Sequence, residues 1–393
     1  MKLLPAILLC SLATPLAAQS SLQIHGFLSG RAIDVKAQPS WTEGGAGRFD
    51  VGAKSADDRR TVHVEMAQLG VDWMPTSWLA FHADGVGRLE PSGTQGRRAG
   101  VVQAFGDIYN EHWRFRAGAF WLPTSRENTD PMWNSPYTIT YSALNTWIGE
   151  EVRPVGADLQ FSPNFYFTLG ATAIRGNDTM GTELAAHGWT FGNRLSVYDE
   201  ELPKPGTAAQ TRPVGADLDG RWGHSERLRV QLPERASLQL THIDNRAELK
   251  PQIGEYTPWQ TRFNTLGGTM GQTSPVTLAA EWAKGSTAVG FPGGSFTMDF
   301  DTAYVLLSQK KGPSRWTVRL DRFSTRSHKP RPVDFSRESG HAVTVAWLRD
   351  MRPNVRTGLE YTKVKGDRPG LAMDGFDPNT GGSTITFEIR YGF

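Results

Sequence analysis

Apolar and polar residues alternate at period two along most of the chain, which is the pattern of strands. Trp113, Phe115, Ala117, Ala119 and Trp121 alternate with Arg114, Arg116, Gly118 and Phe120. The same beat returns at Phe165, Phe167, Leu169, Ala171 and Ala173, at Trp316, Val318 and Leu320, and at Val355, Thr357, Leu359 and Tyr361. Short turn signals join many of these runs: Pro75-Thr76-Ser77, Asn110-Glu111, Ser162-Pro163-Asn164, Pro233-Glu234, Ser274-Pro275, Gly312-Pro313 and Arg352-Pro353-Asn354. Longer polar, Gly- and Pro-rich segments lie between them, at 38–60, 90–98, 122–150, 175–212, 245–257, 287–295, 326–339 and 366–380. The pattern predicts about sixteen strands, over 21–34, 62–74, 78–89, 100–109, 112–121, 152–161, 165–174, 214–231, 236–244, 258–270, 276–286, 296–309, 314–324, 340–350, 355–365 and 381–393. The stretch 214–231 is long for one strand and is expected to bulge near Gly223. Short connections alternating with long ones are what an up-and-down barrel produces when its two rims face different compartments. An even strand count puts both termini on the short-turn rim, and closure removes the unpaired edges.

A water-soluble sandwich or propeller is the competing reading. A soluble sheet hides its apolar face and wets the other, whereas a membrane barrel is apolar outside and polar within. Here the polar strand positions carry full charges, mostly Arg and Asp, that face one way. At the C-terminus Ile385, Phe387, Ile389, Tyr391 and Phe393 form one apolar face, opposite Thr384, Thr386, Glu388 and Arg390. Both features favour an all-β fold, a transmembrane antiparallel up-and-down β-barrel. The N-terminus agrees with export: Lys2, the apolar stretch Leu3 to Leu16, then Ala17-Ala18-Gln19 describe a signal peptide cleaved after Ala18. Residues 1–18 are thus expected as leader and 19–393 as a single barrel domain. Cys10 falls inside the leader, so the mature chain is expected to have no cysteine, and without cysteine clusters structural zinc, disulfide frameworks and iron–sulfur centres are not expected. Beyond residue 18 no apolar run is long enough for a membrane helix. A net charge of +2 argues against a nucleic-acid partner, which needs a concentrated basic face.

The ends of the chain carry a family resemblance. Ile24-His25-Gly26-Phe27-Leu28-Ser29-Gly30 is similar to the first strand of Gram-negative outer-membrane porins, and Phe387-Glu388-Ile389-Arg390-Tyr391-Gly392-Phe393 to their last. Leu122-Pro123-Thr124-Ser125-Arg126-Glu127 stands in the place of their third loop. The chain from Gln19 to Phe393 resembles this superfamily over its whole length, and its arrangement is nearest the phosphate-selective and dicarboxylate-type porins. The resemblance implies a sixteen-stranded barrel in the cell outer membrane, assembled as a homotrimer, with the third loop folded inward to narrow the pore. Ser142 to Glu151 in that loop is expected as a short helix. The implied activity is passive diffusion of small hydrophilic solutes or ions, with outer-membrane lipid as surroundings, and no enzyme. Phe387, Ile389, Tyr391 and Phe393 resemble the C-terminal signal of such barrels, the strand through which the barrel-assembly machinery would act.

If the apolar positions meet lipid, their partners line the lumen. The basic candidates are Arg31, Arg88, Arg114, Arg116, Arg227, Arg229, Arg262, Arg319, Arg356 and Arg390. The acidic ones are Asp72, Asp84, Asp107, Asp158, Glu281, Asp299, Asp301, Asp321, Glu360 and Glu388, a balance that predicts no strong ion preference. Asp107 is expected across the tight turn from Arg114, as wall structure. Arg31, Arg356 and Arg390 become neighbours on closure and would face the loop acids Glu127, Asp130, Glu150 and Glu151. That arrangement sets a transverse field at the narrowest point; otherwise the same acids pin the loop to the wall. The pairs Arg114/Arg116 and Arg227/Arg229 could form a ladder, which suits an anion-preferring channel for phosphate or carboxylate. The segments 122–150 and 175–212 are long enough to fill the lumen, which would make a non-conducting structural or adhesive barrel. No Gly-x-Ser-x-Gly elbow and no histidine pair at metalloprotease spacing occurs. Asp299/Asp301 and Asp217/Asp219 each share a face, too few carboxylates for calcium without loop help. No metal and no cofactor is expected. Trp73, Trp78, Trp121, Trp282, Trp316 and Tyr391 are expected in interfacial girdles.

Overall fold

Along residues 314–327 exposed Trp316, Val318 and Leu320 alternate with buried Thr317, Arg319 and Asp321, and this two-faced sorting repeats around a closed sheet. The computed structural model describes residues 21–206, 211, 213–232, 236–250, 257–329 and 334–393. The leader with Cys10 and the turn at Pro233-Glu234 lie outside the described residues. The first eight strands are β1 (Ser21–Lys36), β2 (Arg60–Thr76), β3 (Leu79–Leu89), β4 (Ala99–Tyr109), β5 (Trp113–Ala119), β6 (Val155–Phe161), β7 (Phe167–Arg175) and β8 (Gly223–Leu232). They continue as β9 (Ala236–Asp244), β10 (Trp259–Met270), β11 (Val276–Phe291), β12 (Gly294–Lys311), β13 (Ser314–Ser327), β14 (Glu338–Arg352), β15 (Val355–Asp367) and β16 (Gly382–Gly392). Each pairs antiparallel with its chain neighbours, and β1 closes on β16. Reciprocal bonds of 3.0 Å between the Gly26 and Phe393 backbones finish the seam.

Side-chain chemistry sets the turns. Asn110 Oδ1 accepts from the amides of His112 and Trp113, and Asn164 Oδ1 from those of Tyr166 and Phe167, the way Asn mimics a backbone turn. Two expectations change. The loop expected at 287–295 is a two-residue hairpin, Pro292-Gly293, because Gly293 supplies φ +87° and lets β11 and β12 run on. The strand expected over 214–231 starts at Gly223, with no bulge inside it. A Cβ at Gly223 would lie 2.6 Å from the Asn245 backbone, so that close approach begins the strand and leaves Asp217 and Asp219 in the preceding loop.

The outer face is apolar, and Trp73, Trp78, Trp113, Trp316 and Tyr391 stand exposed near the short-turn rim. Phe387, Ile389, Tyr391 and Phe393 also point outward. Trp282 is outward too, but paired with Ala303, away from that rim. Trp121 departs from the girdle expectation. Gly118 takes φ +135°, β5 stops at Ala119, and the chain turns inward so that Trp121 stacks on Trp133 at 4.4 Å. The inner face is rich in threonine, linked across strands by contacts such as Thr344–Thr362 (3.1 Å) and Ser237–Thr269 (2.8 Å).

Replacing Leu320, half exposed on the outer face between Val305 and Val343, by Arg should cost about 2–4 kcal/mol. Urea titration of refolding into lipid vesicles measures this, and an unchanged midpoint would place β13 away from lipid.

Candidate functional site in the lumen

The lumen holds protein. The β5–β6 loop (residues 120–154) and residues 176–200 of the β7–β8 connection fold inside the barrel. Each carries a helix, α1 (Ala143–Glu151) and α2 (Thr182–His187). Ser142 caps α1 by accepting from the Asn145 amide at 3.2 Å, and the short helix expected there forms. Trp147 of α1 lies against Trp189, Phe263 and Phe300. This is the centre of an apolar cluster that reaches inward-facing residues of β1–β4, β7 and β9–β15, such as Phe27, Val62, Ile243 and Phe323.

Charge anchors both loops. Arg319 of β13, fully buried, donates to Glu127 at 2.5 Å, to Asp321 at 3.0 Å, and to the carbonyls of Thr140 and Tyr141. Glu127 also accepts from the Ser142 amide and Asn145. Glu360 of β15 receives the amides of Ile139 and Thr140 at 2.6 and 3.0 Å, and Glu281 of β11 receives Asn145. The β7–β8 loop is held from β3 and β1: Arg88 donates to the Leu195 carbonyl and Arg31 to Asn193. Within the loops Arg194 joins Glu90 (3.0 Å) and Glu200 (2.6 Å), and Arg48 of the β1–β2 loop joins the Trp189 carbonyl and Glu338 at the start of β14. Burial opposes the ionised form of Glu200, yet Arg194 and Arg88 hold it below the usual carboxylate range.

The proposed arginine wall divides. Arg31 and Arg390 both clasp Glu388, at 2.7 and 3.2 Å, so the wall partly neutralises itself. Of the loop acids, Asp130 lies beside Arg356 and Arg390 in a basin of about 320 Å³. Glu127 meets Arg319 instead, and Glu150 and Glu151 face the β7–β8 loop: Glu150 accepts from Thr190, Glu151 from Trp147 Nε1 and the Glu183 amide. Burial pushes Glu151 up to about 7 against those bonds.

Nine of the ten expected lumen arginines face inward. Arg262 does not: it is exposed on the face of Leu266 and Met270. Asp299 and Asp301 likewise face outward, next to His328 and Arg322, because Met298, Phe300 and Thr302 take the inward positions. The ladder partners shift as well. The Asn110 turn sets Tyr109 opposite Arg114 and Asp107 opposite Arg116, which Asp107 binds through two bonds of 2.8 and 2.7 Å. Asp158 takes Arg227 in the same forked way. Arg114 and Arg229 are left with no carboxylate within 4 Å among the described residues, as are Arg126, Arg315 and Arg356. Asp130 and Asp350, without ion pairs among the described residues, lie in the basin with Arg356, and Glu281 lies beside Arg126, while Asp72 and Asp84 share His82. Sequence reading missed Arg48, Arg194, Glu200 and Glu338, since their partners lie up to 290 residues away.

No family model and no curated protein matches the sequence. Solved structures do match in shape. The outer membrane channel DcaP of Acinetobacter baumannii aligns at TM-score 0.61 and 11% identity, over 95% of this chain and 97% of that one. OmpT of Vibrio cholerae in a trimer form gives 0.57 at 9% identity, over 95% and 99%. An anion-selective porin from Comamonas acidovorans gives 0.54 at 14% identity, over 95% and 100%. The fold is that of the outer-membrane porins. Within this porin fold the third loop is folded inward, as expected, and the β7–β8 loop shares the space.

Arg319→Met should cost about 3–5 kcal/mol by leaving Glu127 buried and unpaired, read as a lowered urea midpoint and faster proteolysis in residues 120–154. The double variant with Glu127→Gln should lose less than the sum of the single losses.

Asp50, half-buried in the β1–β2 loop, is pushed up to about 6 by desolvation of its carboxylate, against the Asn193 amide and Arg194. A carboxyl raised in the fold stabilises it at low pH and loses that contribution as pH rises through about 6. Wild type should therefore lose stability relative to Asp50→Asn between about pH 4 and 6, and parallel urea midpoints would refute this.

Proposed function

We propose that the protein is an outer-membrane porin, a non-catalytic passive channel for small hydrophilic solutes that prefers anions. Its passage is narrowed by the β5–β6 loop together with the β7–β8 loop. The observation that carries the preference is the charge lining the short-turn half of the lumen, where among the described residues Arg114, Arg229, Arg315 and Arg356 have no ion pair, with Asp130 and Asp350 beside Arg356. Guanidinium groups suit carboxylate and phosphate because their fork binds both oxygens at once. An outward apolar band with aromatic residues at the short-turn rim supports residence in a bilayer. Export through a leader cleaved after Ala18, and recognition of β16 through Phe387, Ile389, Tyr391 and Phe393, belong to the same reading. So does a homotrimer, the form in which one structural neighbour is described.

A second reading is a non-conducting barrel. It is favoured by the apolar cluster around Trp147 and Trp189, because a water-filled pore has no need of one.

Conductance in a planar bilayer, with the reversal potential across a KCl gradient, decides between them. Stepwise conductance with an anion-sided potential is expected, moved toward cations in the double variant Arg114→Glu/Arg229→Glu. A cation-sided wild-type potential would sink the anion preference. Folded protein that never conducts would put the closed barrel first.

A further inference from the structure

Inside the lumen α1 and α2 meet, and the side chains between them are Glu150 from α1 and Glu183 and His187 from α2. One donor atom from each lies within 4.8 Å of the other two. The three residues are 0%, 1% and 4% exposed. Glu183 and His187 are four apart and share one helix face.

What these groups lack is a partner. Both carboxylate oxygens of Glu183 and Nε2 of His187 are buried without a hydrogen bond. Glu150 accepts only the Thr190 hydroxyl, at 3.1 and 3.3 Å. The guanidinium groups nearby are engaged elsewhere: Arg194 with Glu90 and Glu200, Arg48 with Glu338, Arg368 with the Ala185 and Ala186 carbonyls. Among the described residues no ion pair within 4 Å reaches Glu150 or Glu183. Carboxylates stripped of water and left unpaired are costly.

The imidazole is set up as a ligand. Its Nδ1–H donates to the Gly188 carbonyl at 3.0 Å, which leaves the buried Nε2 lone pair without a partner and free to bind. Stacking on Trp41 at 4.5 Å fixes the ring plane. A backbone carbonyl on the far nitrogen is the outer-shell bond that metal-bound histidines use. One imidazole nitrogen with two carboxylate oxygens fits Zn²⁺ better than Ca²⁺ or Mg²⁺, which take oxygen ligands in larger or octahedral sets.

We propose that Glu150, Glu183 and His187 bind one Zn²⁺ ion, which staples α1 to α2 and so joins the two lumen loops. This goes beyond the channel reading and holds whether or not the barrel conducts.

The test uses the mature chain without a polyhistidine tag, refolded in detergent with chelator, then supplied with Zn²⁺ and gel-filtered. Elemental analysis should find one zinc per folded chain. His187→Gln and Glu183→Gln should each weaken binding at least about tenfold. Asp217→Asn, in the separate cluster with Asp178 and Asp219, should bind like wild type. Folded wild type that retains no zinc, or variants that retain it equally, would overturn the proposal. Should a variant fail to fold, zinc-edge X-ray absorption on wild type decides: nitrogen and oxygen ligands at about 2.0–2.2 Å with an imidazole signature are expected, and a shell without imidazole would overturn it.

Discussion

A sheet that leaves no open edge must pair the amides and carbonyls of every strand, and the other features of this protein follow from that demand. The sixteen strands satisfy it by closing β1 on β16, down to the bonds between Gly26 and Phe393. Closure creates two surfaces of opposite character. The outer one is free to be apolar, and the inner one is sealed from lipid, so charged residues such as Arg319 and Glu360 are tolerated there.

The interior follows from what that wall supplies. Guanidinium groups of β1, β3 and β13 and carboxylates of β11 and β15 point into the lumen, and the loops present carbonyls and amides to meet them. Once the loops are drawn inside, their aromatic residues pack together, and Trp147, Trp189, Phe263 and Phe300 form a core within the barrel. The loop side is therefore tightly packed and densely bonded, whereas the short-turn side keeps arginines without ion pairs among the described residues.

Much of the wall was legible. Alternation such as Trp316/Thr317/Val318/Arg319 names both the strand and its faces, because side chains on a strand must alternate. It failed where parity was counted through a segment that changes character. Asp299 and Asp301 were read inward, yet the apolar Met298 and Phe300 beside them serve the lumen core, so hydrophobicity no longer marked the lipid side. Arg116, rather than Arg114, holds Asp107, since one residue of register at the Asn110 turn moves every pair.

The sequence alone determined the barrel, its strand order, the short-turn rim and most of the lumen arginines. These rest on local periodicity and turn chemistry, which need no distant partner. Only the tertiary structure decided which charges are neutralised, that the β7–β8 loop enters the lumen, and that Glu150 meets Glu183 and His187. Those contacts join loop residues tens to hundreds of positions apart, with no repeating pattern to mark them. Closure of the wall brings them together, and local composition carries no trace of it.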